Sequence, residues 1–425
     1  MTRTLFERSG DTPLCWASVT FRGGSACDPV GAEGLAHHAF ELARRGAGSR
    51  PRAEIDEALD ALGASLHVGI GRDSVAVSTM CLSRHQAAVW SLLGDVVAAP
   101  SMAQDEHDKL RRETLRDLDD LRDDDSALAS RFFARHARPG TVYSRTAIGT
   151  ETTLAAIAAT GARAEVERTF TRGGAIIGFA GDVEVGACTE LARQLRARLP
   201  DQPERVQPQP ARPGALPGRR LVIVDKPERT QSQILIGHIA PRWGSDESVA
   251  LLPVETAFGG MFTSRLMQTI RVDHGWSYGA GCRLVRSRGP HWFRISLAPA
   301  AEVTIDALCC TLDMYSELCS TGITEDELSF AIDYLVGAMP FGRATPRQRL
   351  RRALRDLVCG LPEGFDAGLE TRLRDLTLAD TRRAIDAGLT AEDLCVVVVC
   401  TADKLRSKLE ALPWASVSIE DYASY

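Results

Sequence analysis

Two histidines and a glutamate crowd into Gly34-Leu35-Ala36-His37-His38-Ala39-Phe40-Glu41-Leu42-Ala43-Arg44-Arg45-Gly46. Apolar residues recur there at helical spacing and a glycine stands at each end, so the stretch predicts an amphipathic helix. Side chains at i and i+4 share a helix face, which sets His37 beside Glu41. Helical His/Glu clusters hold hydrolytic zinc, with imidazole and carboxylate ligands and a spare glutamate as base. The order His-His-Ala-Phe-Glu completes neither H-E-x-x-H nor H-x-x-E-H. His38, off the shared face, reads as a surface or cleft residue and not as a ligand.

The scaffold has room for more than one core. At 425 residues the chain suits two domains of about 200 residues. Its 44% apolar and 25% charged content is that of a globular protein. A net charge of −6 argues against a nucleic-acid footprint. Positive charge is almost all arginine, with lysine at Lys109, Lys226, Lys404 and Lys408 alone. The N-terminus shows no apolar leader, and no stretch reaches ~18 uncharged apolar residues. A cytoplasmic protein with no membrane partner is the expectation. The eleven cysteines form no Cys-x-x-Cys and mostly sit in apolar runs, so reduced core residues are expected.

Alternating apolar residues predict strands at 14–21, 64–70 and 74–82, the last two a hairpin through Gly71-Arg72-Asp73. Helices are expected at 52–62, 83–98, from Pro100 onward, at 126–137 and at 151–160. A strand at 174–180 and a helix at 184–199 close this half. The acidic run Asp117–Asp125 reads as a solvated face. Prolines then crowd 200–218, which predicts an extended linker. The second half repeats the order: strands at 220–224 and 232–237, helices at 248–258 and 262–271, and a strand pair at 276–285 and 291–297. Helices at 303–320, 325–342, 349–358 and 376–387 follow, then a strand at 394–400 and a closing helix from 402. The fold class expected is α+β: two homologous domains, 1–199 and 219–425, each a mostly antiparallel sheet packed with helices and joined by the Pro-rich segment 200–218.

With this order in place the chain resembles the pitrilysin/insulinase (inverzincin) metallopeptidases, above all the short two-domain members that work in pairs, as mitochondrial processing peptidase does. The residues that carry the likeness run the length of the chain: Gly23-Gly24-Ser25, Asp28-Pro29, Gly34-Leu35-Ala36-His37, Ile148-Gly149-Thr150 and Val224-Asp225-Lys226-Pro227. Gly259-Gly260-Met261-Phe262-Thr263-Ser264-Arg265-Leu266 and Arg271 through Tyr278-Gly279 complete the set.

Catalytic members of that family carry His-x-x-Glu-His on a helix and a third carboxylate ligand on a later one. Laid on this pattern without gaps, His37 matches the first ligand, Phe40 the base, Glu41 the second ligand, and Asp117 falls near the third. A shift of one keeps Glu41 as base but puts Leu42 at a ligand. Neither register is complete, so the resemblance implies a chain inactive alone. Either His37, Glu41 and Asp117 form a degenerate metal set, or His37 and Glu41 bond each other and the wall of the cleft. The resemblance also implies that Gly259 and Gly260 bind substrate, and that Arg271 and Tyr278 bind its backbone and the developing oxyanion. The bland alternative pairs Arg271 with Asp273 or Glu255 and buries Tyr278 in the core. Taken together, the expected role is the catalytically incomplete subunit of a heterodimeric zinc peptidase. No cofactor is expected on this chain; zinc belongs to a homologous partner subunit, and a peptide is the substrate. A peptide-binding or assembly protein without proteolysis, or a hydrolase using an atypical His/Glu/Asp metal, are the alternatives.

Overall fold

A computed structural model describes residues 3–208, 217–289 and 291–424. Residues 209–216 of the predicted linker lie outside the described residues. The first sheet contains β1 (Thr4–Arg8), β2 (Leu14–Arg22), β3 (Ser65–Ile70), β4 (Ser74–Leu82) and β5 (Ile176–Gly181) in the order β1-β5-β2-β4-β3. The second contains β6 (Arg220–Asp225), β7 (Gln233–Ala240), β8 (Ser277–Val285), β9 (His291–Pro299), β10 (Cys395–Cys400) and β11 (Ser416–Asp421) in the order β8-β9-β7-β10-β6-β11. Counted by position in each half, the orders coincide, with β11 added at one edge. The senses coincide as well: β1 runs parallel to β5 and β6 to β10, and the other shared pairs are antiparallel. Two copies of one α+β unit are therefore visible in the topology.

The sequence reading missed β1 and β11. Both are short strands that pair in parallel, β1 with β5 and β11 with β6, partners remote in sequence. Nothing local in a strand's own periodicity marks such a pairing.

The main helices are α1 (Leu35–Ala43), α2 (Gln104–Asp123), α3 (Asp125–Ala137), α4 (Asp246–Glu255), α5 (Glu325–Ala338) and α6 (Pro346–Cys359). They do not all stay with their own half. One compact unit is built from Met1–Asp119, Thr146–Gln209 and Pro340–Pro362, the other from Asp120–Arg145, Pro210–Met339 and Glu363–Tyr425. Thus α3 completes the second unit and α6 the first, an exchange of helices that hold equivalent places in the repeat. In unit 2, Leu128, Phe132 and Phe133 of α3 are buried with Val222, Val224, Leu235, Val397 and Val399 of the sheet. Phe133 meets Trp292 edge-on at 5.7 Å. In unit 1, Leu350 and Leu354 of α6 are buried with Trp16, Ile176 and Ala180.

The family-like motifs prove to be mostly scaffold. Lys226, buried, donates from Nζ to Asp125 Oδ1 at 2.7 Å and to the Arg122 carbonyl at 2.6 Å, which pins the start of α3. A buried ammonium needs such partners to offset its lost hydration. Within the acidic run, Asp124 accepts from the Ser126 and Ala127 N–H groups as the cap of α3, while Asp117, Asp119 and Asp120 are exposed.

Asp28 likewise fixes α1. Its carboxylate, buried, accepts from the N–H groups of Gly34 and Ala36, groups at a helix start that the helix itself leaves unpaired. Gly34 has φ +90°, and a Cβ there would lie 2.5 Å from the Ile148 carbonyl oxygen. The Ile148-Gly149-Thr150 segment crosses the entry to α1 backbone against backbone, and Thr153 Oγ1 donates to the Glu33 carbonyl at 2.8 Å. Gly34→Ala therefore combines αL strain with a clash. We expect a loss of about 2–4 kcal/mol, seen as a lowered midpoint in denaturant melts.

Candidate functional site

Helix α1 turns Leu35, Ala36, Ala39, Phe40, Leu42 and Ala43 into the core of unit 1. Phe40 is fully buried and stacks on Phe170 at 5.2 Å between ring centroids. The position that matches the family's base is thus a core position filled by an aromatic ring. His37 and Glu41 are half-buried on the outer side, and Asp117 is exposed on α2. Burial pushes the His37 imidazole below its usual range, and the Asp117 charge pulls it part of the way back. Burial also pushes the Glu41 carboxyl up against the pull of Arg45 and Arg44. No hydrogen bond joins His37 to Glu41, and among the described residues no three His, Cys, Asp or Glu side chains gather as a metal-holding group. The residues present do not fit the zinc that the family's catalytic members hold.

His38 differs from the sequence reading. It is no cleft residue but is 0% exposed, with Nε2 2.7 Å from His107 Nδ1 on α2. The rings meet edge-on at 4.6 Å. Burial and the neighbouring His107 push His38 down to about 3, and burial lowers His107 too. Both rings are neutral in the native state near neutral pH. Nothing local in the sequence marks a partner 69 positions away.

This pair has a pH consequence. In the unfolded chain each imidazole takes up a proton below about 6.5, whereas the folded pair resists protonation. The unfolded state then binds more protons, so stability falls as pH drops from about 6.5 toward the lowered native values. The slope is at most about 1.4 kcal/mol per pH unit for each histidine. Denaturant midpoints at about pH 7.5 and 5.5 should fall less for H38Q/H107Q than for the parent chain.

The second cluster lies in unit 2. Helix α4 ends in a π-helical turn, Thr256–Gly260, and a second π-helical turn spans Met267–Asp273 before β8. Such turns are rare and frequent at functional sites. Gly259 lies so close to β8 that a Cβ would stand 2.5 Å from the Cys282 nitrogen, and Gly260 is exposed. Both line a cavity of about 870 Å³ together with Met267 and Gly279. Gly259 thereby has a packing reason of its own, beside any contact with a substrate.

Arg271 and Tyr278 come together. The Arg271 guanidinium carbon lies 4.4 Å from the Tyr278 ring centroid and 4.9 Å from that of Phe262. Tyr278 is 87% exposed and Phe262 61% exposed. Neither Asp273 nor Glu255 forms an ion pair with Arg271, and Tyr278 is not a core residue. The guanidinium lies over two exposed rings with its N–H donors uncommitted among the described residues. Cation–π contact fixes its plane without using those donors. Chemically, it is a preset donor for a carbonyl oxygen that acquires negative charge. Phe262 was part of the sequence motif but had no assigned role there; its contact with Arg271 supplies one.

The profile "Insulinase (Peptidase family M16)" matches residues 3–151, and "Peptidase M16 inactive domain" matches residues 166–335. The chain belongs to the M16 (insulinase) peptidase family. The chain is 21% identical over 403 residues to the non-peptidase homolog YmxG of Helicobacter pylori, covering 94% of this chain and 92% of that one. An uncharacterized zinc protease of Mycobacterium tuberculosis is 25% identical over 346 residues, with 79% and 76% covered. The fold matches the crystal structure of a peptidase M16 inactive domain from Pseudomonas fluorescens, with TM-score 0.87, 21% identity, and 94% and 95% of the two chains covered. A protease from H. pylori superimposes with TM-score 0.86 at 16% identity, covering 94% and 99%. In keeping with the inactive-domain profile and the non-peptidase homolog it resembles, this is an M16 member without a complete catalytic centre.

Proposed function

We propose that this M16 chain is the catalytically incomplete subunit of a heterodimeric zinc peptidase. It lines the peptide chamber that the pair encloses and supplies Arg271 and Tyr278 to the active site of a homologous, zinc-containing partner. One observation carries the reading: a guanidinium with no carboxylate partner among the described residues, held over two exposed aromatic rings, in a chain whose own zinc motif is broken. The partner holds the metal and its water; this chain orients the peptide backbone and offers N–H and phenol donors to the oxyanion. The proposal puts the pair in the cytoplasm, in keeping with cysteines that form no disulfide among the described residues, of which Cys15, Cys81, Cys188, Cys282, Cys395 and Cys400 are buried.

The deciding experiment is peptide cleavage by this chain alone, by a zinc-bearing homologue alone, and by the mixture, with and without chelator. Chelator-sensitive cleavage that needs both chains is the expected result. Full activity from this chain alone would sink the proposal, and so would full activity from the homologue alone. Metal analysis after chelator-free purification tests the atypical hydrolase, which requires stoichiometric metal that disappears in Glu41→Ala. Tight peptide binding with no cleavage in any mixture would leave the assembly role in its place.

A further inference from the structure

Arginines gather beside both sheets, and four of them, Arg283, Arg294, Arg347 and Arg351, have no carboxylate partner among the described residues. In unit 2 the register sets Arg283 on β8 directly opposite Arg294 on β9. Like charges that face each other across an antiparallel pair destabilise it. Burial and the Arg283 charge together push the half-buried Arg294 guanidinium below its usual range. Neither side chain makes a hydrogen bond or ion pair among the described residues. Both line the 870 Å³ cavity, along with Gln233, Ser296 and Tyr334. The carboxyl in that lining is Glu255, which burial pushes up to about 7, so it balances the two cations only in part.

Unit 1 carries a second groove, of about 360 Å³, between α6 and its sheet. Hydroxyls of Ser18, Thr20, Ser74 and Ser78 line one wall, and Arg347, Arg351 and Arg355 the other. Spacing of four sets these arginines on one helix face. Arg347 Nε is buried without a partner, and Arg351 has no ion pair among the described residues. Arg355 approaches Asp356 at 3.8 Å. Different residues in two units thus build the same thing, a cationic wall in a chain of net charge −6.

We propose that this chain selects acidic peptides, whose aspartate or glutamate side chains seat against Arg283 and Arg294 in unit 2 and against Arg347 and Arg351 in unit 1. The proposal rests on the peptide-binding part of the function proposed above. A carboxylate between two guanidiniums relieves their repulsion and accepts paired N–H bonds from each planar fork. The unit 2 cavity is lined by Gly259 and Gly260 of the segment that leads to Phe262 and Arg271, so a peptide that binds at these glycines meets the arginine pair in the same cavity. A long polyanion such as nucleic acid would meet the net negative charge of the whole protein; short acidic side chains meet only the walls.

The test uses fluorescence anisotropy of the full-length chain with three labelled, C-terminally amidated peptides of about twelve residues. They differ only in carrying Glu, Gln or Lys at the same four positions. The Glu peptide should bind about 10-fold tighter than the Gln peptide at about 50 mM salt, with the Lys peptide weakest, and the gap should shrink at about 500 mM. R283Q/R294Q and R347Q/R351Q should each cut the Glu-over-Gln ratio several-fold, and R283K/R294K should restore part of it. Circular dichroism melts show whether each variant is folded. Equal binding of Glu and Gln peptides overturns the proposal and leaves the peptide-clamp reading standing. No binding of the Glu peptide at about 1 mM, a preference that survives all four substitutions, or tighter binding of a short oligothymidylate overturns it as well.

Discussion

Arg271→Ala, assayed in the mixture with the zinc-bearing homologue, should lower kcat/KM for peptide cleavage by about 10²–10³-fold, while zinc in the partner stays in place. The size follows from the role: one preset donor to a developing oxyanion is worth about 3–4 kcal/mol in a site closed to water. If the guanidinium acts on the transition state, kcat falls more than KM rises; if it only holds the ground-state peptide, KM carries the loss. Tyr278→Phe keeps the ring 4.4 Å beneath the guanidinium and removes the hydroxyl alone, so its effect isolates the phenol as donor. Phe262→Ala takes away the other ring, at 4.9 Å, and frees the guanidinium to turn. Arg271→Lys keeps the charge but loses the planar fork and the flat face that stacks, and should recover little. Because these groups act as a unit, the double variant Arg271→Ala/Tyr278→Phe should cost less than the product of the single losses. Wild-type rates from either single variant in the mixture would remove Arg271 and Tyr278 from the mechanism.

The part of this chemistry legible in the sequence was its type and order, and the part that was not is who touches whom. Residue spacing placed α1 and its two histidines, because helical periodicity is local, while Phe40 was matched to the base position through the resemblance alone. It could not tell that His38 turns inward to His107, since that contact joins two helices far apart in the chain. The glycines at 34 and 149 were visible as a motif, yet their reason, two backbones crossing within reach of a Cβ, appears only in three dimensions. Arg271 and Tyr278 were read through a resemblance; the geometry adds that the Arg271 guanidinium lies over both Tyr278 and Phe262 and pairs with no acid among the described residues. Arg283 and Arg294 sit in ordinary strand sequence, and only the register sets them opposite one another.

A fragment of residues 219–425 should not fold cooperatively on its own, although the chain order makes it look like a complete second domain. Its sheet is covered by α3, which belongs to the first half of the sequence. Removing α3 uncovers Val222, Val224, Leu235, Val397 and Val399 and discards the burial of Leu128, Phe132 and Phe133. At about 1.5–3 kcal/mol per large apolar side chain, the three lost from α3 alone approach the total stability of a typical domain. Lys226 also loses Asp125 and the Arg122 carbonyl, the groups that hold its ammonium. The fragment keeps α6, but without unit 1 Leu350 and Leu354 have no Trp16, Ile176 or Ala180 to cover them. Exposed valine-rich strands and an uncovered amphipathic helix together favour aggregation. Adding residues 120–145, fused or as a separate peptide, should restore a cooperative melt and near-ultraviolet dichroism. Adding the same peptide with Phe132→Asp and Phe133→Asp should not. A sharp thermal transition and dispersed amide resonances from residues 219–425 alone would show that the exchanged helix is dispensable. If the exchange is required, each sheet is covered only with a helix that the other half of the sequence supplies, and each half then depends on the other before any peptide is bound.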